Sequence, residues 1–175
     1  MNFADIPKFT RGSSYHVTVS WRYIEHQLLD YASPPSPVDL DPDFQRAHVW
    51  SEDQQRRYVE FCLMGGAGSR DILFNCTGWM GDWRGPFVLV DGKQRLEAVR
   101  KFMRGDLAIF DGHHFGDFVG QLRDHHAHFT FHVNDLSTRA EVLQWYVDLN
   151  AGGVVHTAEE IAKVRALLAK ENTHA

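Results

Sequence analysis

An apolar run at residues 87–90 passes directly into Asp91-Gly92, and then into a helical pattern with Leu96, Val99, Phe102 and Met103 on one face. A change of period from two to 3.6 across a two-residue turn marks a strand feeding straight into a helix. The turn and first helical positions read Asp91-Gly92-Lys93-Gln94-Arg95. A helix N-terminus offers backbone N–H groups and the positive end of the helix dipole, so it attracts phosphate. Gly92 would let a ligand approach the backbone closely, and Lys93 or Arg95 would neutralise its charge. Asp91 has three open roles: metal ligand, base or helix cap. A solvated Asp-Gly turn of ordinary kind is the competing reading. The chain has no Gly-x-x-x-x-Gly-Lys-Ser/Thr, so this is not a Walker loop. Gly65-Gly66-Ala67-Gly68-Ser69 follows a helical stretch and reads as a helix end and loop.

At 175 residues the chain is long enough for one domain with a real core. Hydrophobic residues make up 43% and charged residues 23%, the balance of a globular protein. No apolar run approaches membrane-spanning length and no signal-peptide layout is visible, so a cytoplasmic location and no membrane partner are expected. Cys62 and Cys76 are too few for a disulfide framework and read as reduced thiols. A net charge of −5 argues against a tight, autonomous DNA binder. Only local basic groups remain for that role, at Arg56-Arg57 and at Arg95, Arg100, Lys101 and Arg104.

Along the chain, residues 14–20 read as extended, and residues 21–31 as a helix with Ile24 and Leu28 four apart. Ser33-Pro34-Pro35-Ser36-Pro37 must be a surface connection. Ser51-Glu52-Asp53-Gln54 is a capping box opening a helix that buries Tyr58, Phe61 and Cys62. Residues 72–76, 87–90, 107–110 and 129–133 read as strands; in the last, Phe129, Phe131 and Val133 alternate with Thr130 and His132. The Gly/Trp-rich stretch from Trp79 to Trp83 is expected to be exposed and mobile near a pocket mouth, where its tryptophans would stack on a base; a hydrophobic lid that packs on the core is the equal alternative. Ser137 opens a helix with Leu143 and Val147 on one face, which stops at Asn150-Ala151-Gly152-Gly153. Thr157-Ala158-Glu159-Glu160 caps a last helix bearing Ile161, Val164 and Leu168. Strands and helices mix without strict alternation, so the fold class is α+β.

Two further groups invite chemistry. Gln45-Arg46 lies in a loop held by Pro42, with Phe44 and Trp50 as aromatic anchors; a salt-bridged surface arginine is the simpler alternative. Eleven histidines include His113-His114, His125-His126, His128 and His132. No His-Glu-x-x-His occurs among them, and adjacent histidines on a strand or loop point in different directions, so zinc is the weaker reading.

Three blocks together resemble one family. They are Asp41-Pro42-Asp43-Phe44-Gln45-Arg46-Ala47-His48-Val49-Trp50, Val90-Asp91-Gly92-Lys93-Gln94-Arg95-Leu96, and Leu149-Asn150-Ala151-Gly152-Gly153. In order and spacing they resemble the ParB/sulfiredoxin-like superfamily. The branch is the domain of unknown function 262, which forms the N-terminal half of GmrSD-type modification-dependent restriction enzymes. The resemblance implies a compact ParB/sulfiredoxin-like domain over residues 1–175, a small mixed sheet flanked by helices, with no C-terminal nuclease domain. It also implies a nucleotide-phosphate pocket. Asp91, Arg95 and Arg46 would be the catalytic residues there, with Gln45, Gly92, Lys93, Gln94, Asn150 and Gly153 binding the nucleotide. Lys93 departs from the more usual glutamine of the family.

The implied activity is NTP hydrolysis linked to DNA modification or phage–host restriction. NTP is the ligand, and Mg²⁺ is held by Asp91. Partners would be DNA or a separately encoded nuclease or modification protein. The alternatives are a phosphotransferase (kinase) acting on a small acceptor or modified base, and a non-catalytic nucleotide- or partner-binding module. If Arg95 faces an empty anion site, Arg95→Ala is expected to weaken nucleotide binding and leave stability nearly unchanged.

Overall fold

The computed structural model describes residues 2, 6, 15–32, 37–45, 50–79, 81, 84–151 and 158–173. Among them, five α-helices surround a four-stranded mixed sheet, an α+β architecture. Strand β1 (Tyr15–Ser20) runs through a short 3-10 turn (Trp21–Tyr23) into α1 (Ile24–Tyr31). Next come α2 (Glu52–Leu63), β2 (Asp71–Asn75) and β3 (Val88–Asp91), which leads into α3 (Lys93–Arg104). Strand β4 (His128–Asn134) and helices α4 (Arg139–Ala151) and α5 (Ala158–Thr173) complete the order. The expected surface connection at 33–36 lies outside the described residues.

The sheet order is β1-β4-β2-β3, with β4 and β2 parallel at the centre and both outer pairs antiparallel. One face of the sheet carries Val19, Ile72, Phe74, Leu89, Phe129, Phe131 and Val133 into a core shared with α1, α2 and α3. A second core lies over the opposite face, where Leu143, Tyr146 and Val147 of α4 and Val164 of α5 pack with Phe44, Val90 and Leu136. That second layer sits towards the β3 side. Across the β1/β4 side of the same face, His16, Thr18 and Asp71 remain exposed, and Thr130 and His132 half-buried. The period-2 alternation of β4 therefore has a positional consequence. It turns the phenylalanines into the first core and leaves His132 on a half-open face.

The Ser51 capping box is formed: Ser51 Oγ accepts from the Gln54 N–H at 3.2 Å, and Gln54 Oε1 accepts from the Ser51 N–H at 2.9 Å. Residues 107–110 are not the expected strand. Leu107 and Ile109 are buried, but Ile109 and His113 exchange backbone hydrogen bonds of 2.8 Å around a tight turn. Phe110, Asp111 and Gly112 all have positive φ there. Apolar alternation without a partner strand made a turn resemble an element.

Asn75, 3% exposed, ties the sheet to the entrance of α4. Its Oδ1 accepts from the Leu136 N–H at 2.8 Å, and its Nδ2 donates to the Leu136 carbonyl at 3.1 Å. Asn75→Ala leaves that buried N–H without its acceptor, and is expected to lower stability by about 1–3 kcal/mol. Denaturant unfolding checks this; a change below about 0.5 kcal/mol, the size of an ordinary surface substitution, would contradict it.

Candidate functional site

Where β3 meets α3, Gly92 takes φ +100° and Lys93 starts the helix. A Cβ on Gly92 would stand 2.5 Å from Ile72 Cδ1 and 3.2 Å from both the Asp71 carbonyl oxygen and Ile72 Cα. The backbone turn and the packing of this turn on β2 therefore both require the glycine.

Beside the turn lies a cavity of about 90 Å³, walled by Gln45, Trp50, Asp91, Lys93, Arg95 and Tyr146 among others. The two distant sequence blocks do meet here. Gln45 Nε2 donates to the Leu89 carbonyl at 2.6 Å, pinning its loop to β3. Gln94, 8% exposed, accepts the Trp50 N–H at 3.0 Å, and Gln55 Nε2 donates to the Trp50 carbonyl at 3.0 Å. Phe44 anchors the same loop edge-on against Tyr146, with ring centroids 5.2 Å apart. Both glutamines of the motifs therefore build the wall by holding backbone. Lys93 Nζ pairs with the Asp41 carboxylate across the pocket rim.

Arg95 does not face an empty site. Its Nη2 donates to Asp91 Oδ2 at 2.6 Å and to the Asp71 carbonyl at 3.0 Å, and the side chain is 20% exposed. Removing it strips a partner from Asp91, so the expectation of unchanged stability is corrected. Its Nε–H is enclosed and has no acceptor among the described residues. A buried donor left unmade costs about 1–3 kcal/mol, so this atom marks a place where an acceptor is lacking.

A second cavity, of about 650 Å³, also has Asp91 and Arg95 in its wall. Its floor is the half-open face of the sheet, with His16, Asp71 and His132, and it is flanked by Tyr15, Trp145 and Leu149. Within it His132 Nε2 lies 2.6 Å from Asp71 Oδ1. A small polar compartment and one of ordinary ligand size thus share an arginine and an acid.

Arg46 and Gly153, expected at the site, lie outside the described residues, as does Trp83. Asn150 lines neither cavity; its Nδ2 donates to the Tyr146 carbonyl one helical turn back, at 2.6 Å. Trp79 is half-buried against Tyr15 and Phe87, at centroid distances of 5.3 and 5.7 Å, and packs on the core rather than at a pocket mouth. The histidines are dispersed: His114 Nδ1 sits against the Gly105 carbonyl, His128 Nδ1 against that of Asp124, and His125 stacks near His126. Among the described residues no three His, Cys, Asp or Glu side chains group as a metal site. Burial pushes the Cys62 thiol up and carries Cys76 to about 11, which leaves both poor nucleophiles at neutral pH. The suspected basic patches are ion-paired: Arg100 with Glu25, Arg104 with Glu97 and Asp106, and Arg56 and Arg57 with Asp53. Among the described residues no helix is long and apolar enough to cross a membrane.

Of this residue set, Gln45, Gly92, Lys93, Gln94 and Arg95 could be named from sequence because they are nearly contiguous or carry a motif. Asp71 and His132 could not. The chain matches no family model, no curated protein and no solved structure.

Proposed function

We propose that this protein is a nucleotide-binding domain of the ParB/sulfiredoxin-like kind that hydrolyses NTP in a DNA-modification or phage–host restriction system. The observation that carries the reading is Arg95, whose side chain stands in the wall of both cavities and whose Nε–H has no acceptor among the described residues. The cavity of about 650 Å³ suits a nucleotide whose phosphates lie against Asp91 and Arg95 in its wall. Lys93 and Arg95 stand at the first turn of α3, where the helix dipole favours an anion, each paired with an acid (Asp41 and Asp91) with which a phosphate would compete. Asp91 contributes a single carboxylate, with Oδ2 already taken by Arg95. That fits a Mg²⁺ brought in by the phosphates, since such ions commonly take one or two protein carboxylates and several waters. Bound there, Mg²⁺ would offset charge on the phosphate oxygens.

The link to DNA runs through a partner protein such as a separately encoded nuclease, because the clustered arginines are neutralised by neighbouring carboxylates. A cytoplasmic location goes with this reading. The size of the larger cavity favours, as second reading, phosphoryl transfer to a hydroxyl-bearing acceptor.

The test is to incubate the protein with ATP, GTP, CTP and UTP, with Mg²⁺ and with or without DNA, and to quantify nucleoside diphosphate and phosphate separately. Equal amounts of both from one nucleotide are expected. Diphosphate exceeding free phosphate when an acceptor is present identifies a transferase. Binding without either product identifies a non-catalytic module, and failure to bind any nucleotide in equilibrium dialysis overturns the reading.

A further inference from the structure

The His132–Asp71 pair lies on two adjacent parallel strands, β4 and β2, in the floor of the larger cavity. A carboxylate only accepts, so the 2.6 Å contact needs His132 to donate its Nε2–H to Asp71 Oδ1. In the neutral ring the lone pair is then on Nδ1, the tautomer that the Asp71 contact selects. The same residue holds the arginine: the Asp71 main-chain carbonyl accepts from Arg95 Nη2 at 3.0 Å. One strand position therefore sets a basic imidazole nitrogen and the phosphate-seeking guanidinium in register. Both contacts converge on Asp71, the imidazole on its carboxylate and Arg95 Nη2 on its main-chain carbonyl.

We infer that His132 is the general base of this site, oriented by Asp71, and that it activates the attacking oxygen in phosphoryl transfer from the nucleotide. The inference rests on the nucleotide reading given above. His132 Nδ1 takes the proton of a water O–H as that oxygen's electron pair forms a bond to the γ-phosphorus. The bond from the γ-phosphorus to the β–γ bridging oxygen breaks, and its electron pair leaves on the nucleoside diphosphate. Asp71 offsets the charge of the imidazolium that forms, and Arg95 offsets charge on the phosphoryl oxygens. The proton then passes to solvent through the half-open mouth of the cavity.

Other groups face the imidazole. His16 lies opposite it on β1, with ring centroids 6.0 Å apart, and Tyr15 of β1, Asp91 of β3 and Arg95 of α3 line the same cavity. Substitution of His132 separates its contribution from theirs. The experiment compares wild type, His132→Gln, His132→Ala and Asp71→Asn in nucleotide affinity, turnover and melting temperature. Turnover is expected to fall roughly 10²–10⁴-fold in both His132 variants, the usual contribution of a general base. Affinity should stay within about threefold, since a base acting on water adds little to ground-state binding. Added imidazole should restore part of the turnover of His132→Ala. It should also return the loss of activity at low pH that the variant alone lacks. Unchanged turnover in His132→Gln overturns the assignment. If the wild type binds nucleotide but turns none over, the nucleotide reading stands and the base assignment falls. If it binds none, both fall, and the binding arm alone shows which.

Discussion

Gly92→Ala should lower stability by roughly 2–5 kcal/mol. About 1–2 kcal/mol comes from forcing an L side chain into a left-handed conformation, and about 1–3 from overpacking against β2. The Ile72 Cδ1 contact can be relieved by a side-chain rotation. The contacts at 3.2 Å to the Asp71 carbonyl and Ile72 Cα are with backbone and cannot. Gly105, the residue that ends α3, is the internal comparison: it too has positive φ, at +82°, but a Cβ there meets nothing within 4 Å. Gly105→Ala should therefore show only the conformational part. Urea unfolding of the two variants separates the contributions, and equal destabilisation would mean that close packing on β2 is not what the glycine serves. Because the same turn carries Arg95 to the Asp71 carbonyl, Gly92→Ala should also weaken nucleotide binding.

Arg95→Ala is expected to act twice. The loss of a charge-assisted phosphate contact should weaken nucleotide binding tenfold to hundredfold, about 1.5–3 kcal/mol. The loss of the Asp91 and Asp71 contacts should also destabilise the unliganded protein, by about 1–3 kcal/mol. Arg95→Lys should keep part of both, since a point charge can pair with Asp91 but cannot reproduce the guanidinium fork. Calorimetric titration and melting curves on the two variants read the two effects independently. A large fall in melting temperature with unaltered nucleotide affinity would make Arg95 purely structural, and the phosphate reading would go with it.

Most of the architecture was legible because its determinants are local. The alternation Phe129, Phe131, Val133 placed one face of β4 in a core, and Ser51 with Gln54 marked a helix start. The change of period at Asp91-Gly92 located a strand-to-helix turn. The readings that differ share one cause: partners that only the fold supplies. Residues 107–110 alternate like a strand but have no strand to pair with, and Asp111-Gly112 closes them into a turn. Trp79 follows a strand in a Gly-rich stretch, yet Tyr15 and Phe87 make a place for it on the core. Nothing in the sequence reveals Ile72 behind Gly92, so its packing role was not legible.

The candidate site divides in the same way. One side of its first cavity is the contiguous stretch Val90 to Arg95 at a helix start, a pattern with a physical meaning in one dimension; Gln45, Trp50 and Tyr146 are brought to it by the fold. The pair in the second cavity has none: Asp71 and His132 stand 61 residues apart and meet through parallel pairing of β2 with β4. Only one half of that signal was available beforehand, since the β4 alternation already turned His132 away from the phenylalanine face.

Side-chain NMR of the Arg95 guanidinium reads directly whether a nucleotide phosphate binds against it. The arginine Nε–H resonance of Arg95, assigned by its absence in Arg95→Lys, would be followed while a non-hydrolysable nucleoside triphosphate analogue is titrated in with Mg²⁺. The account predicts a saturating downfield shift of this proton and slowed exchange with solvent, at the same midpoint as binding measured by calorimetry. Saturable binding of the analogue with the Arg95 resonance unmoved, or no binding at all, would contradict it.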